Sequence, residues 1–310
     1  MSNTTEAGTA QATATAGGTV SGGGSLARDA WRELRRKPSF IGGVLILLLM
    51  CSMAAVPSLW TSRGANEKCN VRNAKTGPES LNPFSGGEHP FGFDVTGCDY
   101  WAQLVHGARA PIVIGITVTI AALVLSVLLG SLSGYYGGWL DVLISRITDI
   151  AFGLPFILGA LVVLTAFPEH DIWAIVLVLS AMMWTTMTRL MRGQVIAAKD
   201  QDYVHAAKML GAGDARVMFR HILPNAIAPV FIYATLNIAL AISAASVLDF
   251  LGVGLDYPSL SWGVQLSDAQ SEFLQHPYLM VYPAIFLSVT VLSFLMLGDA
   301  VRDAFDPKLR

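Results

Sequence analysis

Charge is what this chain has least of. Asp, Glu, Lys and Arg make up 14% of its 310 residues, while 53% are hydrophobic. Soluble domains carry roughly 25% charged residues, so the composition argues for a membrane protein. A basic surplus is also missing, since 20 Lys and Arg face 22 Asp and Glu. Nothing is left over to neutralise phosphates, which excludes a nucleic-acid partner. Three cysteines cannot build a disulfide framework. Cys51 lies in an apolar run and reads as a small core residue. Cys69 and Cys98 share one polar segment, where bonded and free states both stay open; an oxidising exterior is the condition for the bond.

The N-terminus has no apolar core of a secretory signal. Residues 1–25 are rich in Thr, Ala, Gly and Ser and are expected to be a disordered tail. The following "RDAWRELRRKP" is basic and amphipathic, a lead-in that lies on the cytoplasmic membrane surface. Catalytic signatures are lacking as well. There is no G-x-x-x-x-G-K-[ST] phosphate loop, no H-E-x-x-H and no G-x-S-x-G, so the chain is expected not to be an enzyme and to carry neither ATP chemistry nor a hydrolase centre of its own.

Long apolar runs are present in quantity. A bilayer core takes ~20 apolar residues as a helix. Uncharged stretches at 40–60, 111–133, 172–188, 226–248 and 277–298 meet or approach that length. A sixth, 141–167, is apolar except for Arg146 and Asp149 near its start. Six spans put both termini on one side. Lys and Arg concentrate before the first span, in 189–225 and in the C-tail; the loops 168–171 and 249–276 hold only acids. The positive-inside bias therefore places both termini and 189–225 in the cytoplasm. Loop 61–108, with Arg63, Lys68, Arg72 and Lys75, dissents but is long. Gly130-x-x-x-Gly134 reads as a close helix contact. Pro155 and Pro283 fall inside spans, where a gating kink and a merely tolerated proline are both open.

The polar stretch "YVHAAKMLGAGDARVMFRHILPN" (203–225) stands between two spans. Asp202 is expected to cap a short helix whose Tyr203, Ala206, Ala207 and Leu210 share a face. Gly211 suits the left-handed position after it, with Ala212 and Gly213 in the turn. Asp214 is expected to cap a second helix with Ala215, Met218, Phe219 and Ile222 on one face, ended by Pro224. Such short helices need a surface to dock on. The chain's own membrane core is one candidate surface; a partner protein is the other.

That stretch resembles the EAA loop of ATP-binding-cassette importer permeases, as His205-Ala206-Ala207, Gly211 and Leu223-Pro224. "HPFGFDVTGCD" (89–99), "GYYGGWLD" (134–141), "FLGVGL" (250–255), "PSLSWG" (258–263) and "LGDAVRDAFDPKLR" (297–310) are similar to the second permease subunit of the dipeptide/oligopeptide branch. The resemblance covers roughly residues 30–310. It departs from the family pattern at His205, where Glu is favoured, at Cys98-Asp99 in place of Arg-Asp, and at Ala245 and Asp249 in place of Glu and Ser.

The resemblance implies an all-α, six-span type I permease fold for the import of di- or oligopeptides, in a bacterial plasma membrane. It implies a homologous second permease, one or two ABC ATPase subunits that hold ATP-Mg, an extracytoplasmic substrate-binding protein and lipid as partners, with no cofactor or metal on this chain. The expected organisation is a tail 1–25, a lead-in 26–38, a first span 39–60, an outer loop 61–108, a core 109–300 and a cytoplasmic tail 301–310. Tyr203, His205, Ala206, Ala207, Leu210, Gly211, Ala212 and Pro224 become ATPase-coupling candidates. Arg216 and Arg220 meet either acids of the ATPase or lipid headgroups. Arg146, Asp149, Pro155 and Asp249 are pathway or gating candidates; Arg146 and Asp149 read equally as a mutual pair, and Asp249 equally as a solvated acid at the membrane edge. Trp262 and Tyr257 belong to an outer cap or simply to the interface. Import of nickel or another small solute fits the same architecture. A self-contained secondary transporter would show inverted repeats and paired broken helices, and would leave the hairpin without a role.

Overall fold

The computed structural model describes residues 34, 35, 37–66, 69, 89–256 and 258–305. The expected tail 1–25, most of the lead-in, Lys68, Arg72, Lys75, Tyr257 and the last residues of the C-tail lie outside them. The described residues form helices and no sheet, with one isolated antiparallel bridge, Phe93 to Asp99.

In chain order the helices are α1 Pro38–Ala55, α2 Tyr100–Gly107, α3 Arg109–Tyr136, α4 Gly138–Gly153, α5 Phe156–Leu164 and α6 Ile172–Lys199. Then come α7 Asp202–Met209, α8 Asp214–Val217, α9 Ala228–Phe250, α10 Trp262–Asp268 and α11 Tyr278–Phe305. Five stretches are long and apolar enough to cross a membrane: α1, α2 with α3, α6, α9 and α11. The sixth is a broken pair, α4 and α5, bent by 89°. Large apolar side chains on the outside of these helices, such as Leu45, Leu48, Ile120, Val162, Trp173 and Leu292, are exposed in the isolated chain. That pattern suits a surface solvated by lipid tails.

The second span starts earlier than the sequence suggested, at Tyr100 rather than near residue 109. Asp99 caps it by accepting the Ala102 N–H at 3.2 Å. The α4–α5 break has a local cause. Leu154 precedes a proline and takes extended backbone, φ −88° and ψ 129°, because Cδ of Pro155 disfavours the helical region there. Pro283, by contrast, stays within one continuous helix.

Helix α6 runs through the middle of the bundle and packs along α3. Glycines make that seam close. A Cβ on Gly130 would stand 2.8 Å from the Thr188 carbonyl oxygen, and one on Gly134 2.9 Å from that of Arg192. At the end of the seam Asp141 of α4 accepts from Arg192 Nε at 2.5 Å and Nη2 at 2.7 Å, and from the Ser133 hydroxyl. Lys37 at the head of α1 meets Asp303 near the end of α11 at 3.3 Å, so both ends of the described chain lie on the same side.

Candidate functional site

The hairpin 202–226 projects beyond the spans, and its order comes from backbone chemistry. Gly211 has φ +81°, which a side chain would strain. Around it the Ala212 N–H donates to the Ala207 carbonyl and the Gly211 N–H to the Lys208 carbonyl, each at 3.0 Å. This pair of bonds is a Schellman closure. Asp202 and Asp214 are not the caps; Gln201 and Gly213 take those positions, and each Asp is the first helical residue. There its charge still favours the positive helix end.

One face of the hairpin is already taken. Val204 packs with Met187, Met191, Val195, Val217 and Ile222 in the chain's own core, and Ala207 is buried too. Ala207 therefore does not share a free face with Tyr203, Ala206 and Leu210, as the sequence suggested. The free surface consists of Tyr203, His205, Ala206, Met209 and Leu210, all exposed, with Met209 at 90% and Leu210 at 89%. In the second helix Val217, Met218 and Ile222 face inward, while Ala215 and Phe219 face out, Phe219 at 70%.

The second helix is also irregular. Residues Met218–Ile222 form a π-helical turn, followed by one α-turn at Leu223–Ala226. A proline cannot donate to the carbonyl four residues back and its ring crowds that carbonyl. The wider π turn accommodates this. Pro224 thus widens the helix and does not end it, contrary to the sequence expectation. Arg216 just before this turn and Arg220 within it are both exposed.

The hairpin is tied to the bundle at Tyr135, the penultimate residue of α3. The Tyr135 hydroxyl donates to Asp214 at 2.6 Å, and Lys199 at the end of α6 donates to the Tyr135 carbonyl at 2.6 Å. The Lys208 ammonium sits 5.3 Å from the Tyr135 ring centroid, within cation–π range. Sequence reasoning did not single out Tyr135, Asp141, Arg192 or Met209. The first two were visible only as members of "GYYGGWLD".

A second feature lies within the spans. A cavity of about 640 Å³ opens at the α4–α5 break, between α6 and α9. Pro155 lines it, with Met182, Thr185, Thr186, Tyr233, Asn237 and Ser243 among the other residues. None of its lining residues is charged. Arg146 and Asp149 do not line it. Asp149 is held at 2.6 Å by Arg189, and Arg146 lies 3.9 Å away on an exposed face.

On the opposite side from the hairpin, Asp249 is buried, 3% exposed, and is not the solvated edge residue the sequence allowed. It accepts from the Leu255 N–H at 2.9 Å and from the Ser261 hydroxyl at 2.5 Å. It thereby folds the 250–263 turn back onto α9. A Cβ on Gly263 would meet the Asp249 Cβ at 2.6 Å, which gives "PSLSWG" a packing reason. Trp262 is also buried and donates to the Leu104 carbonyl at 3.0 Å, so it is core of the cap at this end of the bundle and not a free interfacial ring. Cys69 and Cys98 are joined in a disulfide with Cα atoms 4.2 Å apart. Beside it, Asp99 accepts from Arg63 and pairs with His89, each at 2.8 Å. Cys51 is half-buried and free.

Intact protein is expected to show no thiol reactive to a membrane-impermeant maleimide in the outer segment, and two after reduction. Labelling of Cys69 and Cys98 without reductant would contradict the bond. Closing a 29-residue separation stabilises by roughly 3.6 kcal/mol, so the Cys69→Ser/Cys98→Ser variant should melt at lower temperature.

The bundle defines a polytopic helical membrane protein with a polar hairpin whose tip, Met209 and Leu210, is apolar and exposed. The chain belongs to the family described as binding-protein-dependent transport system inner membrane component, which it matches over residues 126–310. It is 34% identical over 286 residues to the oligopeptide transport system permease protein OppC of Bacillus subtilis, covering 92% of this chain and 91% of that one. It is 35% identical to the dipeptide transport system permease protein DppC of Alkalihalophilus pseudofirmus, covering 91% and 90%. Its fold is similar to a chain in the crystal structure of an amino acid ABC transporter with histidines, at TM-score 0.51 and 17% identity, over 64% of this chain and 92% of that one.

Proposed function

We propose that this chain is one of two permease subunits of an ATP-driven importer of di- and oligopeptides. The observation that carries the reading is the likeness, over about nine-tenths of both chains, to permeases named for dipeptide and oligopeptide transport. The partners are a homologous permease, one or two ABC ATPase subunits holding ATP-Mg, an extracytoplasmic binding protein and the surrounding lipid. The termini and the hairpin face the cytoplasm. The basic residues around the hairpin and the disulfide at the other side support that orientation.

In this reading the exposed Tyr203, Ala206, Met209 and Leu210 fill a groove on the ATPase, with His205 at their edge. Ala207, Gly211 and Ala212 hold the hairpin's shape from within. Arg216 and Arg220 lie where they can meet acids of the ATPase. When ATP closes the ATPase pair, the hairpin moves. Its ties at Tyr135 carry that movement to the ends of α3 and α6, and α6 lines the cavity at the Pro155 break. The uncharged lining suits a cargo whose side chains vary, because it offers no fixed charge to reject any of them.

Reconstitution tests this. The chain, a second permease, the ATPases and the binding protein in proteoliposomes should take up labelled di- and tripeptides only with ATP. ATP-dependent uptake of nickel with no uptake of peptide would overturn the substrate assignment.

A further inference from the structure

A groove of about 190 Å³ runs between the last turns of α3 and the second helix of the hairpin. The coupling mechanism does not use it. Leu128, Leu132 and Tyr136 form one wall, and Ala215, Phe219 and Leu223 the other. Asp214 is the one charged residue among those described on its lining, and it is spent on the Tyr135 hydroxyl at 2.6 Å. Of the six wall residues only Leu223 is half-buried; the others are exposed in the isolated chain. The groove is thus an apolar slot, open to whatever surrounds this end of α3.

Its depth says what surrounds it. Leu128 and Leu132 belong to the apolar run 111–133 of a helix long enough to span the bilayer, so that wall stands in hydrocarbon, where a soluble partner does not reach. Tyr136 and Phe219 line the groove where that run ends, and Trp139 follows shortly after Tyr136, also exposed. Aromatic rings in such a place mark the boundary between membrane and water.

Charge is the independent observation. Arg216 and Arg220 directly follow the wall residues Ala215 and Phe219 in the chain, and both are exposed. Among the described residues no ion-pair partner is found for either. Guanidinium groups pair well with phosphate, through parallel hydrogen bonds as well as charge. Two of them beside an apolar slot at the membrane boundary select a ligand with an anionic head and a hydrocarbon tail. We propose that the groove holds an acyl chain of an anionic phospholipid from the adjoining leaflet, with its phosphate on Arg216 and Arg220. A carboxylate of the ATPase would complete the arginines as well, but it brings no tail into a slot at hydrocarbon depth. The bound tail braces the second helix of the hairpin against α3, beside the tie from Tyr135 to Asp214. The inference rests on the membrane placement of α3 and not on which cargo is carried.

The test uses the assembled complex carrying Cys51→Ser and Ala215→Cys, labelled with bimane, with Tyr136→Cys as a second reporter should the first fail to assemble. The complex is placed in phosphatidylcholine bilayers containing increasing shares of phosphatidylglycerol or phosphatidylcholine with brominated tails, whose bromines quench bimane on contact. Half-maximal quenching should need roughly tenfold less of the brominated phosphatidylglycerol. Leu45→Cys, on the exposed face of α1, should be quenched equally by both lipids. In Arg216→Gln/Arg220→Gln the preference at Ala215→Cys should disappear while quenching itself remains. Equal quenching by both lipids at Ala215→Cys with the arginines in place would overturn the proposal. So would a preference that survives their replacement. Absence of quenching there, with Leu45→Cys quenched, would show that another subunit covers the groove. Quenching that vanishes when the ATPase is bound would assign the arginines to the ATPase, and either result would also overturn the proposal.

Discussion

Replacing Met209 and Leu210 together by aspartate is expected to strip the ATPase from the purified complex while the permease still inserts and folds. Both side chains stand almost fully in solvent, 90% and 89% exposed, so their loss removes nothing from the chain's own core. Full burial of a Leu or Met side chain is worth about 1.5–3 kcal/mol. Two such losses together weaken binding by roughly 10²–10⁴-fold, before the cost of placing two carboxylates in an apolar groove. The hairpin keeps its form, since Val204 and Ala207 are buried on its inner face and the bonds around Gly211 are backbone bonds. Affinity purification through a tag on the permease, with the ATPase quantified, reads the outcome. Full recovery of the ATPase would show that the hairpin tip is not the contact. Ala207→Asp would be a poor test of the same idea, because it buries a charge in the core and disrupts the fold first.

Gly134→Leu is expected to have the other large effect, on assembly. A Cβ at that position already comes within 2.9 Å of the Arg192 carbonyl oxygen and the Val195 Cβ. A backbone oxygen cannot rotate away as a side chain can, so α3 and α6 must separate. Overpacking a well-filled core costs typically ~1–3 kcal/mol, and here it also pulls Arg192 away from Asp141. Helix association in lipid depends on close packing, so most of the loss cannot be regained elsewhere. The variant should accumulate poorly in membranes and aggregate on size exclusion. An unchanged melting temperature would show that the seam tolerates separation. Gly138→Ala, by contrast, tests only backbone strain at φ +59° and should lower stability modestly.

Apolar length alone made the spans legible, because each helix must satisfy its backbone internally within the bilayer. The hairpin was legible for a similar reason: Gly211 occupies a position only a small set of residues tolerates. The orientation of its faces was not. An i, i+3, i+4 count assumes an unbroken α period, which the π turn at Met218–Ile222 interrupts. Ala207 was misplaced because alanine fits either a core or a partner's groove. Asp249 and Trp262 were left between two readings because a membrane-edge acid or Trp is normally wet. Here a twelve-residue return of the chain supplies Ser261 as a donor and Leu104 offers its carbonyl, so both are buried. Long-range partners of this kind leave no local signal. The same holds for Tyr135 and Asp214, which are 79 residues apart.

The central claim is that the hairpin tip is the point of contact with the ATPase, and cross-linking tests it most directly. Cys51 is the chain's free thiol, so Cys51→Ser with Leu210→Cys leaves one reporter, the disulfide pair aside. A short bis-maleimide applied to the assembled complex should join this chain to the ATPase, and a reporter at Trp173, exposed on the membrane face of α6, should not. A Leu210 reporter that cross-links only to lipid-facing or permease positions, with the ATPase present and active, would contradict the account.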